Sequence, residues 1–128
     1  MKTVLVVEDE FDLRATLQAL LEGEGYRADI SSNGREALEQ LKRAKPDLVL
    51  MDVMMPLLSG LDVLRTMKQT PGLDGVPVVL MSSVQPGVKQ EEYGWQAFLR
   101  KPFSLPALLQ TVERLIGKPQ SAGEIAKS

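Results

Sequence analysis

The sequence predicts an α/β protein in which five strand–helix units wind a parallel sheet, with helices on both faces. Three observations carry this. Short apolar runs alternate with amphipathic stretches five times along the chain, which implies parallel strands joined by right-handed crossovers. Two of the runs, Leu48–Met51 and Val78–Met81, are apolar on successive residues, as strands covered on both faces are. Four of the runs end in chemistry: Val4–Val7 in Glu8-Asp9, Leu48–Met51 in Asp52, Val78–Met81 in Ser82-Ser83, and Ala97–Arg100 in Lys101-Pro102. Parallel α/β sheets gather their functional groups at the carboxyl ends of strands.

Each element has its own signal. Thr3–Val7 is β-rich, and Leu13, Leu17, Leu20 and Leu21 follow at helical spacing until Gly23 and Gly25 punctuate the run. Arg27–Ser31 reads as a weaker, more polar strand near an edge. Asn33 is placed to cap a helix whose inner face holds Ala37, Leu38 and Leu41, ended by Pro46-Asp47. Leu48–Asp52 is the third strand. Gly60 to Gln69 reads as a helix with Leu61, Leu64 and Met67 or Lys68 on one side, and Thr70 to Gly75 has loop chemistry. Pro77–Met81 is the fourth strand. The fourth helix is the poorest, delayed by Pro86-Gly87 and closed by Gly94, with room for about two turns at most. Ala97–Arg100 is a short fifth strand. Ser104 is placed to cap the final helix, whose apolar face is Leu105, Leu108, Leu109, Val112, Leu115 and Ile116. Residues 1–117 read as one domain, and 118–128 as a flexible tail or linker stub.

A chain of 128 residues with 44% hydrophobic residues can bury a core without staples. The net charge is −2 and no basic stripe appears, so nucleic-acid binding by this domain lacks electrostatic support. Cysteine is absent, which excludes disulfides and thiolate metal sites. Histidine is also absent, removing the commonest general base and any phosphohistidine carried by the chain itself. No run is long enough to span a membrane and no apolar signal region opens the chain, so a cytoplasmic location is expected.

Singly, each candidate residue has an ordinary reading: Glu8 and Asp9 as helix caps, Asp52 and Ser82 as turn residues, Lys101 as a solvated cation. Together they read differently. Three carboxylates at neighbouring strand ends repel unless a hard divalent cation balances them. With a cation present, Asp52 can act as a nucleophile toward phosphorus. The Ser82 hydroxyl and the Lys101 ammonium suit the oxygens of a phosphoryl group.

On these residues the chain resembles the receiver domains of two-component response regulators. The resemblance rests on Glu8-Asp9, on Asp52 within Met51-Asp52-Val53-Met54-Met55-Pro56, on Gly60, Ser82-Ser83, Gly94 and Phe98, and on Lys101-Pro102-Phe103, in order over about residues 2–117. It implies a flavodoxin-like sheet in strand order 2-1-3-4-5. It implies that Asp52 is the phosphoacceptor, that Asp9, Asp52 and the Met54 backbone carbonyl ligate Mg²⁺, and that Glu8 acts on the ion through water. Ser82 would contact the phosphoryl group, Lys101 would pair with Asp52 and with the phosphoryl oxygens, Ser82 and Phe98 would form the switch pair, and the Lys101-Pro102 bond would be cis. The donor would be a histidine kinase or histidine phosphotransfer protein. Output would pass to a downstream protein or an output domain not included here, from a monomer or weak dimer. Such a domain is a switch rather than a conventional enzyme, acting only on its own Asp52 and its slow hydrolysis.

The chain departs from the family pattern in three places. Phe98 stands where tyrosine is frequent, and Ser82 where threonine is commoner. Ser82 and Lys101 are only 19 positions apart, about one helical turn short, and the loss falls between Ser82 and Gly94. Partner binding is therefore expected to be altered or to use another face. Met54 and Val84 flank the expected site with apolar side chains, so slow self-dephosphorylation is expected. The competing reading is a receiver-like interaction module independent of phosphorylation. A flavin carrier is disfavoured because Glu8-Asp9-Glu10 would repel a phosphate. A P-loop nucleotidase is disfavoured because no Gly-rich loop with lysine is present.

Overall fold

A computed structural model describes residues 1–119. Most of the expected tail, residues 120–128, lies outside the described residues. In chain order the elements are β1 (Thr3–Val7), α1 (Phe11–Glu24), β2 (Arg27–Ser31), α2 (Gly34–Arg43), β3 (Leu48–Asp52), α3 (Gly60–Lys68), β4 (Val78–Ser82), α4 (Gln90–Tyr93), β5 (Ala97–Arg100) and α5 (Leu105–Ile116). The strands form one parallel sheet in the order β2-β1-β3-β4-β5, the flavodoxin-like arrangement.

Two apolar layers sandwich the sheet. One packs Leu5, Val7, Val49, Met51, Val78 and Leu80 against Ala37, Leu41, Val63, Leu64 and Met67, which covers the face under α2 and α3. The other packs Val4, Val6, Leu48, Leu50, Val79 and Met81 against Leu17, Leu21, Leu108 and Val112 of α1 and α5. Every residue of β3 and β4 is buried, because alternate side chains enter opposite layers. No helix among the described residues is long and apolar enough to cross a membrane.

Local signals explain most boundaries. Asn33 Oδ1 accepts from the Glu36 N–H, and Ser104 Oγ accepts from the Ala107 N–H. Ser59 and Asp62 form a reciprocal capping box on α3. Two expectations are corrected. Gly23 does not interrupt α1; the helix continues through it to Glu24 and stops at Gly25, whose φ of 105° is open to glycine and strained for other residues. The buried side of α3 is Val63, Leu64 and Met67, with Leu61 only half-buried, because the helix lies across the sheet at a different rotation from that read off Leu61. The fourth helix is a single turn of 4 residues.

Candidate functional site

The register brings the polar strand ends together. Val7 pairs with Met51, so Glu8 stands level with Asp52. Asp52 pairs with Met81, which sets Ser82 one residue further along the neighbouring strand end. Ser82 pairs with Arg100, and the Lys101 N–H donates to Ser82 O at 2.8 Å, so the lysine enters from β5 at the same end. These elements lie tens of residues apart in sequence and meet only because the sheet is parallel.

Carboxylate oxygens of Glu8, Asp9 and Asp52 lie within 4.8 Å of one another. Glu8 and Asp52 are buried, at 1% and 5% exposure, while Asp9 is exposed. Lys101 Nζ is 2.7 Å from Glu8 Oε1 and 3.3 Å from Asp52 Oδ2. Burial pushes the Glu8 carboxyl above its ordinary value; the hydrogen bonds from Lys101 and the Glu10 N–H oppose this, and the Asp52 charge adds to it. Burial pulls the Lys101 ammonium down, but the hydrogen bond to Glu8 and the charges of Asp52 and Glu8 outweigh it and hold it above its ordinary value. The two outcomes differ because Glu8 has 1% side-chain exposure and Lys101 keeps 23%: burial governs the acid, partner charges govern the lysine.

The ordinary readings of the same residues are only partly realised. α1 has Glu10 at its N-cap with no side-chain capping bond, so neither Glu8 nor Asp9 caps that helix. Asp52 Oδ1 does accept from the Met54 N–H at 3.3 Å, and Ser82 Oγ accepts from the Val84 N–H at 3.2 Å. These turn contacts orient the two side chains at the strand ends. Gly60 is needed for space, since a Cβ there would sit 2.3 Å from the Asp52 carbonyl oxygen. That close approach lets the Gly60 N–H donate to Val53 O at 2.8 Å and fixes the loop after Asp52. Phe98 is half-buried against the layer under α2 and α3. The Lys101-Pro102 bond is cis. Met54 and Val84 are 65% and 54% exposed beside the site.

Arg14 also contributes to the site. Arg14 NH1 donates to Glu8 O at 2.9 Å and to Asp9 O at 3.4 Å, and its guanidinium lies 5.5 Å from the Phe11 ring centroid. Its only signal in the sequence is a cation in the first turn of the helix that follows the acidic pair, five residues beyond Asp9. The resemblance implies the pairing of Lys101 with Asp52, which the structure shows at 3.3 Å, but not the closer contact with Glu8 at 2.7 Å.

The donor set fits a hard divalent cation. Ionised, three carboxylates against one ammonium leave two negative charges at this cluster, the balance one Mg²⁺ would supply, and all the side-chain donors are oxygens.

Comparison with known proteins agrees with this picture. The family described as the response regulator receiver domain matches residues 4–113. The response regulator MprA of Mycobacterium leprae (strain TN) is 36% identical over 126 residues, covering 94% of this chain and 54% of its own length. The chain thus spans about half the length of the curated MprA relatives it matches. The polar-differentiation response regulator DivK of Brucella anthropi is 32% identical over 119 residues, covering 91% of this chain and 97% of its own. Among solved structures, the response regulator protein TrrA from Thermotoga maritima, in complex with Mg(2+)-BeF, has a TM-score of 0.81 at 30% identity, covering 90% of this chain and 99% of that one. With a match running from β1 into α5 on a sheet of this order, the chain belongs to the response regulator receiver domains, the phosphoryl-accepting switches of two-component systems.

Proposed function

We propose that Asp52 accepts a phosphoryl group from a phosphohistidine on a partner kinase or phosphotransfer protein. The observation that carries this reading is the seating of Lys101 Nζ between Glu8 and Asp52 at the carboxyl end of the sheet. In the transfer, the Asp52 carboxylate oxygen forms a bond to phosphorus as the phosphorus–nitrogen bond breaks. The imidazole leaves with the bond's electron pair and takes a proton from solvent. Lys101 neutralises charge on the phosphoryl oxygens and the Ser82 hydroxyl donates to one of them. Asp9, Asp52 and the Met54 carbonyl would hold Mg²⁺, with Glu8 reaching it through water. When bound, the ion supplies charge neutralisation to the carboxylates and the incoming phosphoryl group.

Phosphorylation would then draw Ser82 and Phe98 toward the site and bias a two-state equilibrium that partners read. We place the functional domain at residues 1–117 and its working compartment in the cytoplasm. Output passes to a separate protein or to a further domain, and the single-turn α4 supports a partner surface different from one built on a longer helix. That short helix is also the observation favouring the second reading, a module that binds its partner without phosphorylation.

Intact mass after incubation with acetyl phosphate and Mg²⁺ tests the proposal. The expected result is one added phosphoryl group on the parent, and none on Asp52→Asn or without metal. No addition to the folded parent from either acetyl phosphate or a phosphorylated histidine donor would move the assignment to the phosphorylation-independent module.

A further inference from the structure

The far edge of the sheet from β5 carries polar groups that the switch does not use. Among the described residues β2 is paired on one side only, by β1. At the two ends of that ladder the Arg27 N–H donates to Lys2 O and the Glu8 N–H donates to Ser31 O, so residues 27, 29 and 31 turn their backbone groups toward β1. Alternation along the strand turns the backbone groups of Ala28 and Ile30 outward.

Both outward carbonyls are already occupied. Gln18 Nε2, from α1, donates to Ala28 O at 3.0 Å, and Gln40 Nε2, from α2, donates to Ile30 O at 2.8 Å. Among the described residues no side chain accepts from the Ala28 or Ile30 N–H. An open strand edge ordinarily offers donors and acceptors alike and so templates another strand. Here glutamines from both covering helices close the acceptors and leave a strip of donors.

The charge beside this strip has the matching sign. A groove of about 420 Å³ follows the edge, and its charged lining is Arg27, Arg43 and Lys45 against the single carboxylate Asp29, held by Arg27 at 3.3 Å. The chain as a whole is at −2, so this positive excess is local. Ile30, 36% exposed, adds an apolar foothold. The strand's 5 residues extend about 16 Å, longer than one small anion fills. The lining has no aromatic ring on which a base would stack, which disfavours single-stranded nucleic acid.

We propose that the β2 edge groove binds an extended acidic segment of a partner protein. Oxygens of the segment accept from the Ala28 and Ile30 N–H groups, and its carboxylates pair with Arg27, Arg43 and Lys45. The binding needs no phosphoryl group on Asp52, so it stands or falls separately from the switch.

The test is a titration of the ¹⁵N-labelled full chain with a capped decapeptide alternating glutamate and threonine, with the glutamine–threonine decapeptide as control. The expected result is saturable shifts of the Ala28 and Ile30 amides with the acidic peptide only, weakening as salt is raised. The Arg43→Glu/Lys45→Glu variant should bind at least about tenfold more weakly, and Arg114→Glu on α5 should bind as the parent does. Arg27→Ser gives an independent check if the double reversal disturbs α2. The proposal is overturned by shifts that map away from β2, by no saturation at millimolar peptide, or by equal affinity of the charge-reversed variant. A stronger response to a single-stranded oligonucleotide of equal charge would also overturn it.

Discussion

Lys101 donates to Glu8 at 2.7 Å across a sequence separation of 93 residues. The lysine follows β5 and the glutamate follows β1, so the side chain reaches past the ends of β4 and β3, which lie between them in the sheet. The contact ties the last strand to the first and sets a cation beside Asp52, 3.3 Å away.

Removing the cation exposes how much the site depends on it. Lys101→Met leaves Glu8 buried beside Asp52 with no ammonium. Breaking a buried pair from one side costs about 3–5 kcal/mol. The lysine keeps 23% exposure, so we expect a loss of about 1–3 kcal/mol in denaturant unfolding without metal. The double variant Glu8→Gln/Lys101→Met should recover part of that loss. Simple additivity of the two single effects would show that the pair is not coupled.

The neighbours of Asp52 bear on the lifetime of a phosphorylated form. Met54 and Val84, two residues beyond Asp52 and Ser82, are exposed apolar side chains, and neither can accept a proton from, or orient, an attacking water. We expect the phospho-form to persist for minutes or longer, and Met54→Asn to shorten its life severalfold. Radiolabel or mass-based decay curves measure this, and a parent lifetime of seconds would contradict it.

Ser31, at 1% exposure in β2, has a buried hydroxyl with no hydrogen-bond partner among the described residues. Its side chain lies on the sheet face covered by α2, where a methyl group would need no partner. Ser31→Ala should therefore raise stability by about 1 kcal/mol, read as a higher denaturant midpoint at unchanged slope. A loss of stability would mean the hydroxyl is satisfied in solution.

Glu36 gives a pH signature away from the site. The Ser32 hydroxyl, at 2.7 Å, and the Ser32 N–H hold its carboxyl below the ordinary value, with Arg14 and Asn33 adding to the effect against slight burial. A depressed folded value means the stabilisation is present above the unfolded carboxylate range and is lost as pH falls through the folded value. Parent and Glu36→Gln should therefore differ at pH 7, by well under about 1 kcal/mol for so exposed a group, and converge in acid. A difference that grows on acidification would reverse the assignment.

The parallel sheet was legible because its strands are continuous apolar runs and its helices carry a 3.6-residue period. The caps at Asn33 and Ser104 were legible because capping is local chemistry, satisfied within three residues. Gly23 misled because a glycine tolerated inside a helix looks the same in sequence as one that ends it. Only the backbone at Gly25 distinguishes them. The rotation of α3 misled because half its residues are apolar, and the sheet beneath it chose among them.

At the site, the residue types at the strand ends already named the chemistry: acids, a hydroxyl and an ammonium are what a cation and a phosphoryl group require. Their pairing was not written there. That Lys101 lies closer to Glu8 than to Asp52, and that Gln18 and Gln40 cover the carbonyls of β2, depend on how separate elements pack, and that Arg14 closes on the Glu8 and Asp9 carbonyls depends on the turn from β1 into α1. Periodicity and capping act over a few residues and are carried by local sequence. Long-range polar contacts are set by strand register and helix placement, which arise only when the whole core packs.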